Sequence, residues 1–205
     1  MTRTRRARKE ENMKKTIALM LAAAMAAVSL TGCVKIIDKG TEGEYTGEVA
    51  FDAAADSSSD WAQVVTEITE NATDLADLLN GDWDGKAKAV KVSAPVKEYE
   101  SKANGKKNAL ILDVEGFDGT VKVQIGSIYS GTDVRDIQSV KNFESFTNQT
   151  EWSQYAKALN TELDTQVVSV LGIDDSVVGK TVTLTGAAAK SGDEITLTPV
   201  SLTIE

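Results

Sequence analysis

VKVSAPVKEYESKANGKKNALILDVEGFDGTVKVQI, residues 90–125, changes character every second residue. Val90, Val92, Ala94 and Val96 alternate with Lys91, Ser93, Pro95 and Lys97. Leu110, Leu112 and Val114 alternate again, and so do Val121, Val123 and Ile125. A period of two puts one apolar face on each strand. Asn104-Gly105 and Asp118-Gly119 are turn dipeptides between the runs, because both suit a backbone that must enter the left-handed region. The stretch predicts a three-strand meander.

On its C-terminal side, Thr132–Val140 reads as a short helix. Glu151–Leu171 reads as a long one, with Trp152, Tyr155, Leu159, Leu163, Val167, Val170 and Leu171 on one face and Gly172 as its stop. Two further strands follow, Val182 and Leu184 in the first, Ile195 and Leu197 in the second, joined by Ser191-Gly192-Asp193. After Leu197 the alternation changes parity to Val200, Leu202 and Ile204. Pro199 sits at the slip, where a β-bulge accommodates its missing N–H. Three strands, a helix and two strands is the order of an OB-fold barrel, here spanning about residues 86–205. On the N-terminal side, Ser57–Asn80 predicts an extra helix with Ser57 as cap and Gly81 as stop. Tyr45–Phe51 predicts a strand, and Val34–Ile37 a short one. The fold class is therefore α+β, mainly β: an OB-fold-like five-stranded barrel with an extra N-terminal helix and a long helix between strands three and four.

The first 33 residues are of another kind. Lys14 and Lys15 precede an apolar run from Thr16 to Leu30, which ends in Leu30-Thr31-Gly32-Cys33. A spanning helix needs roughly 20 apolar residues, so this shorter run reads as the core of an export signal. The last four residues have the form of a bacterial lipobox, which makes Cys33 the expected lipidation site. Residues 1–12, with Arg3, Arg5, Arg6, Arg8 and Lys9, read either as an extended n-region or as lying upstream of the true start; Met13-Lys14-Lys15 is complete on its own, which favours Met13 as the start. The expected organisation is a signal peptide at 1–32, a lipidated cysteine and tether at 33–44, and one globular domain at 45–205. The expected location is extracytoplasmic, lipid-anchored on the outer face of the cytoplasmic membrane or the periplasmic side.

From residue 33 onward the chain carries 15 basic and 29 acidic side chains, a net charge of −14. That repels phosphate backbones, so no nucleic-acid partner is expected. Histidine is absent, which removes the commonest general base and transition-metal ligand. Cys33 is the single cysteine, so no internal disulfide forms.

Candidate site residues are few. Arg135 and Asp136 follow a glycine-flanked turn and offer a guanidinium fork and a carboxylate, to a ligand such as a sugar or to their own loop. Asn148 and Gln149 could meet sugar hydroxyls, yet Asn148 with Glu151 also has the spacing of a capping box. In both cases the balance favours loop fixing. Arg135-Asp136 and Phe146-Thr147-Asn148-Gln149 are expected to meet at one end of the barrel. Phe143 and Phe146 read as core. Trp83 and Tyr129 are possible platforms for a sugar ring, with buried packing favoured. Asp82-x-Asp84-Gly85 opens like a calcium loop but lacks the later ligands of an EF-hand, and Asp113, Glu115 and Asp118 read as exposed strand and turn positions. No catalytic residue, metal or cofactor is singled out, and the protein is not expected to be an enzyme.

Ile125-Gly126-Ser127-Ile128-Tyr129-Ser130-Gly131-Thr132-Asp133-Val134-Arg135-Asp136, followed by Phe143-Glu144-Ser145-Phe146-Thr147-Asn148-Gln149, resembles the predicted periplasmic lipoprotein family known as domain of unknown function 2291. That family similarly shows Gly-Thr-x-x-Arg-Asp and then Phe-Thr-Asn-Gln opening a long helix. Gly179-Lys180-Thr181-Val182 and Thr185-Gly186-Ala187 add to the resemblance. It implies a lipoprotein without assigned catalytic residues, often encoded beside sugar uptake transporters of the ATP-binding cassette type. The function expected on that ground is a non-enzymatic accessory or binding lipoprotein linked to carbohydrate uptake, with a transporter or sugar-binding protein as partner. An independent sugar-binding or sensing lipoprotein is the alternative. An extracytoplasmic hydrolase would need a carboxylate pair that the sequence does not single out.

Overall fold

The computed structural model describes residues 51–81 and 83–205. The expected signal peptide, the expected lipidation site Cys33, the expected tether and the strand expected at 34–37 lie outside them, as do Asp82 and all of the expected 45–51 strand but Phe51, which is in no strand. From Phe51 onward the chain forms one unit.

The meander forms as read: β2 (Lys88–Glu100), β3 (Ala109–Leu112) and β4 (Thr120–Gln124). Val90, Val92, Ala94 and Val96 are buried in β2 while Lys91, Ser93, Pro95 and Lys97 face solvent. β5 (Thr181–Ser191) and β6 (Glu194–Ile204) complete the set, in the order β2-β3-β4-β6-β5 with β5 returning to β2. β4 and β6 run parallel; the other barrel pairs are antiparallel. This is the closed five-stranded OB topology.

Closure depends on two bends. β2 gives its first part, through Pro95, to β5 and its last part to β3, and its register with β3 slips at Lys97. β6 slips against β5 where Gly186 meets Pro199 and Thr185 meets Ser201, leaving Val200 as the extra residue. The Pro199 bulge is thus where the parity change placed it. Gly186 is required there, since a Cβ would collide with the Thr198 carbonyl and lie 2.8 Å from Pro199 Cα.

Around this barrel the helices depart from expectation in detail. α1 spans Ala53–Glu70 and is capped by Asp52, whose carboxylate accepts from the Ala54 and Ala55 amides at 3.0 Å. Ser57 is no cap. It is buried one turn inside and donates to the Ala54 carbonyl. The helix expected to run to Asn80 breaks after Glu70. Thr73–Asp74 (β1) pairs parallel with Val90 and Lys91, and Asp74 caps a second short helix, α2 (Leu75–Asn80). The Asp118-Gly119 turn is displaced to Val114–Phe117, with Gly116 left-handed. The short helix at 132–140 is a single turn, α3 (Asp133–Asp136).

α4 spans Gln149–Leu163 between β4 and β5, the third and fourth strands of the barrel. It does not run on as α-helix to Leu171. It widens to a π turn at Asp164–Val168, tightens to a 3-10 turn at Ser169–Leu171, and stops at left-handed Gly172. Tyr155, Leu159 and Leu163 of α4 are fully buried in the same core as Val64 and Ile68 of α1. Each such side chain contributes about 1.5–3 kcal/mol on removal from water.

Candidate functional site

The Arg135 and Asn148 segments both converge on the start of α4. Asn148 is the N-cap: its side-chain oxygen accepts from the Thr150 and Glu151 amides at 2.9 and 3.0 Å. Glu151 accepts from the Thr147 amide at 2.8 Å, a variant of the reciprocal capping box. Gln149 is exposed at the first helical position. Arg135 reaches the same turn through Trp152. Its guanidinium lies 4.3 Å from the indole centroid, donates to the Trp152 carbonyl at 3.3 Å, and forks onto Asp136. Asp136 also accepts from the Thr132 hydroxyl at 2.6 Å. Only 12% of the Arg135 side chain is exposed. The loop behind it is pinned by the buried Gln138 amide, which bonds the Arg135 carbonyl and both backbone groups of Lys141.

An aromatic cluster continues from Trp152. Phe146 packs against Phe51, Trp152 and Tyr155 with centroids 5.1–5.4 Å apart. Phe146 is core, as expected. Phe143 is not: it stands edge-on to Trp152 at 6.3 Å and is 51% exposed. Beneath the cluster the Tyr155 hydroxyl donates to Asp60 at 3.0 Å, and Lys141 pairs with Asp56 at 2.7 Å and Asp60 at 3.1 Å. Burial, then the Asp60 carboxylate, pushes the Tyr155 hydroxyl up. Burial works against the charged Lys141 ammonium, but Asp56 and Asp60 outweigh it and raise its pKa.

The remaining sequence candidates are packed or solvated. Trp83 is half-buried and donates to the Lys86 carbonyl; Tyr129 is half-buried and donates to Asp164. Asp84 accepts from the Lys86 amide, which holds its carboxyl below the usual value. Asp113, Glu115 and Asp118 are exposed. No acidic or cysteine cluster among the described residues is arranged to hold a metal ion.

The cleft that the structure adds lies on the outer face of the barrel, over the start of β3, β4 and the start of β6. Its volume is about 210 Å³, and Lys102, Lys107 and Asn108 of the loop between β2 and β3 help to line it. Lys122 lines it, 3.0 Å from Glu194 and 3.8 Å from Glu100, and Lys102 holds Glu100 from the loop at 2.8 Å. That hydrogen bond from Lys102 keeps the Glu100 carboxyl below its ordinary value. Gln124 forms part of the wall. Its amide donates to Thr198 and to the Ser130 carbonyl, and accepts from the Ser130 amide at 2.6 Å. Gly126 is the other precondition: the loop backbone passes so close that a Cβ would sit 2.6 Å from the Asn108 nitrogen. These residues come from four strands and two loops, and no local motif announces them.

A closed β2-β3-β4-β6-β5 barrel with a helix between β4 and β5 and an open cleft on the β2–β4 face defines an OB-fold protein. The chain belongs to the family described as "Predicted periplasmic lipoprotein (DUF2291)", whose model matches residues 23–203. It is therefore an extracytoplasmic lipoprotein of a family without assigned function. No curated protein matches the sequence. Among solved structures it is similar to an OB-fold protein from Thermotoga maritima MSB8, at 15% identity and a TM-score of 0.54, over 77% of this chain and 100% of that one. Slighter likenesses are to the Stn1-Ten1 complex of S. pombe, at 10% identity and a TM-score of 0.34 over 66% and 77% of the two chains, and to the aspartyl tRNA synthetase of Entamoeba histolytica, at 13% and 0.31 over 65% and 21%.

Proposed function

We propose that this protein is a non-enzymatic accessory or binding lipoprotein, held on the membrane by lipid at Cys33, that takes a carbohydrate in the β2–β4 cleft in support of uptake by an ATP-binding cassette transporter. The observation that carries the reading is the lining of that cleft. OB barrels bind oligonucleotides and oligosaccharides on this face. Single-stranded nucleic acid needs aromatic platforms there, whereas here the lining is hydroxyl, amide, ammonium and carboxylate, with Ile128 as its one large apolar side chain. Such a lining suits a ligand rich in hydroxyls. The link to a transporter rests on the family resemblance alone.

Hydrolysis does not fit the same groups. A glycosidase needs one carboxyl that keeps its proton near neutral pH. Glu100 and Glu194 both face Lys122, and Glu100 is pushed the other way. A second reading, contact with a transporter or sugar-binding protein, is favoured by Phe143, an aromatic side chain left half in water on Trp152.

The test is a thermal-shift screen against monosaccharides and oligosaccharides. A ligand at about 100 times its Kd adds roughly 2.7 kcal/mol to stability, which for a domain this size raises the melting temperature by roughly 5–10 °C. A screen in which no carbohydrate moves the transition, while Phe143 variants lose a cross-linked partner in cells, would replace the first reading with the second.

A further inference from the structure

Residues 51–205 hold 13 basic and 25 acidic side chains, a net charge of −12. The cleft over β3 and β4 reverses that sign. Lys102, Lys107 and Lys122 line it against two carboxylates, Glu100 and Glu194. Lys122 is fully engaged between those two, and Lys102 pairs with Glu100. Lys107 has no carboxylate within ion-pair distance among the described residues.

The backbone brings this unmatched lysine and Lys102 to the base of one loop. Ala103, Asn104 and Gly105 all adopt left-handed φ values, 54°, 56° and 82°, and fold the loop back on itself. The Lys107 amide consequently donates to the Lys102 carbonyl at 3.0 Å. Two lysines thus flank the base of one loop, and both line the same cleft. An anion in that cleft is attracted by both ammonium groups. Lys102 is free to turn toward such an anion, because Glu100 has a second ammonium, Lys122, at 3.8 Å. Beside the two lysines, the Ser130 and Thr196 hydroxyls line the cleft without a hydrogen bond to any other described residue.

We propose that the cleft is selective for anionic sugars: a carboxylate or phosphate held between Lys102 and Lys107, with the sugar hydroxyls met by Ser130 and Thr196. This rests on the carbohydrate reading above and narrows it to a class of ligand. Oligonucleotides share the anionic chemistry, but the negative domain and the lack of stacking aromatics in the cleft disfavour them.

The experiment is calorimetric titration of the full-length lipoprotein in nonionic detergent with matched sugars. These are glucose against glucuronate and glucose 6-phosphate, galactose against galacturonate, and a short oligothymidylate as a further arm. The expected result is binding of at least one anionic member roughly tenfold tighter than its neutral counterpart, the value of one charge-assisted contact. That preference should weaken with added salt. The uronates and the sugar phosphate separate the two sources of anion. Lys107→Gln should weaken the preference, and Lys107→Gln together with Lys102→Gln should abolish it, while the melting temperature of Lys107→Gln stays unchanged, since Lys107 is exposed. Neutral sugars bound as tightly as their acids, or a preference undiminished in Lys107→Gln, would overturn the inference and leave the carbohydrate reading standing. No binding in any sugar arm would overturn both, and oligothymidylate bound above every sugar would do the same.

Discussion

Arg135→Ala separates the two roles that its sequence position allows. In the structure the guanidinium is a clamp between the one-turn helix α3 and the first turn of α4. Its face covers Trp152 at 4.3 Å, one nitrogen meets the Trp152 carbonyl, and the fork closes on Asp136. A cation over an indole contributes about 0.5–2 kcal/mol as desolvation increases, and this side chain is 12% exposed. The pair with Asp136 is discounted to at most ~1 kcal/mol, because that carboxylate is 41% exposed. Asp136 also keeps its bond from Thr132 after the substitution. The loss is therefore about 1–3 kcal/mol, or roughly 2–12 °C in melting temperature for a domain this size. Arg135→Lys should recover only a minor part of it, since an ammonium supplies neither the planar stack nor the fork. The assay is thermal and urea melting of both variants beside sugar titration. An Arg135→Ala protein that melts with wild type would refute the clamp. Loss of sugar binding at unchanged stability would make Arg135 a ligand contact after all.

Cys33→Ser should move the protein to the soluble fraction or leave it unprocessed; normal processing with retention on the membrane would exclude the lipid anchor. Gly186→Ala should destabilise by about 1–3 kcal/mol or more, the usual cost of forcing atoms into a packed site, because its Cβ meets backbone rather than a movable side chain; a neutral result would mean that the β6 bulge is not required for closure. Stability should fall as pH rises above about 10. Tyr129 and Tyr155 both hold their protons more tightly folded than unfolded, through burial first and then Asp164 or Asp60. Lys141 does so as well, its carboxylate partners outweighing burial. In that range the native state carries more protons than the unfolded chain, so each step up in pH favours unfolding. Denaturant melts of wild type and of Tyr155→Phe across pH 8–11 check this, and the variant's profile should be the flatter.

The barrel was legible because each strand has one buried and one wet face, and a period of two survives in composition. Even the β6 bulge could be placed, since one extra residue shifts every later side chain to the opposite face. The helices were less legible because apolar spacing does not register a break. Ile68, Ala72, Leu75, Leu78 and Leu79 keep helical spacing across Asn71–Asp74. What breaks the helix there is a competition that sequence does not rank: Thr73-Asp74 gains a sheet pairing with Val90 and Lys91, and Asp74 gains a helix start to cap. Phe143 and Phe146 look alike in sequence for a similar reason. Two aromatic rings three residues apart compete for the space beside Trp152, and only Phe146 is enclosed.

The cleft was invisible for a reason that also bears on what it does. Glu100 and Glu194 are 94 positions apart, and they share Lys122 only because the barrel closes with β6 beside β4. On each strand these residues occupy the outward positions of the alternation, where charged side chains need no explanation. Gln124 is the exception. It takes an outward position on β4 yet is buried to 8% exposure, with both ends of its amide satisfied. A buried amide contributes to stability only when fully bonded, so Gln124 holds the Ser127–Ser130 segment down against the sheet and builds one wall of the cleft. The segment it holds lies within the Ile125–Asp136 stretch that carries the family resemblance. That stretch shapes the cleft and offers it the Ser130 hydroxyl, and it clamps α4 at Arg135, while the other groups that would touch a ligand, Lys102, Lys107 and Thr196, come from a strand and a loop elsewhere in the chain.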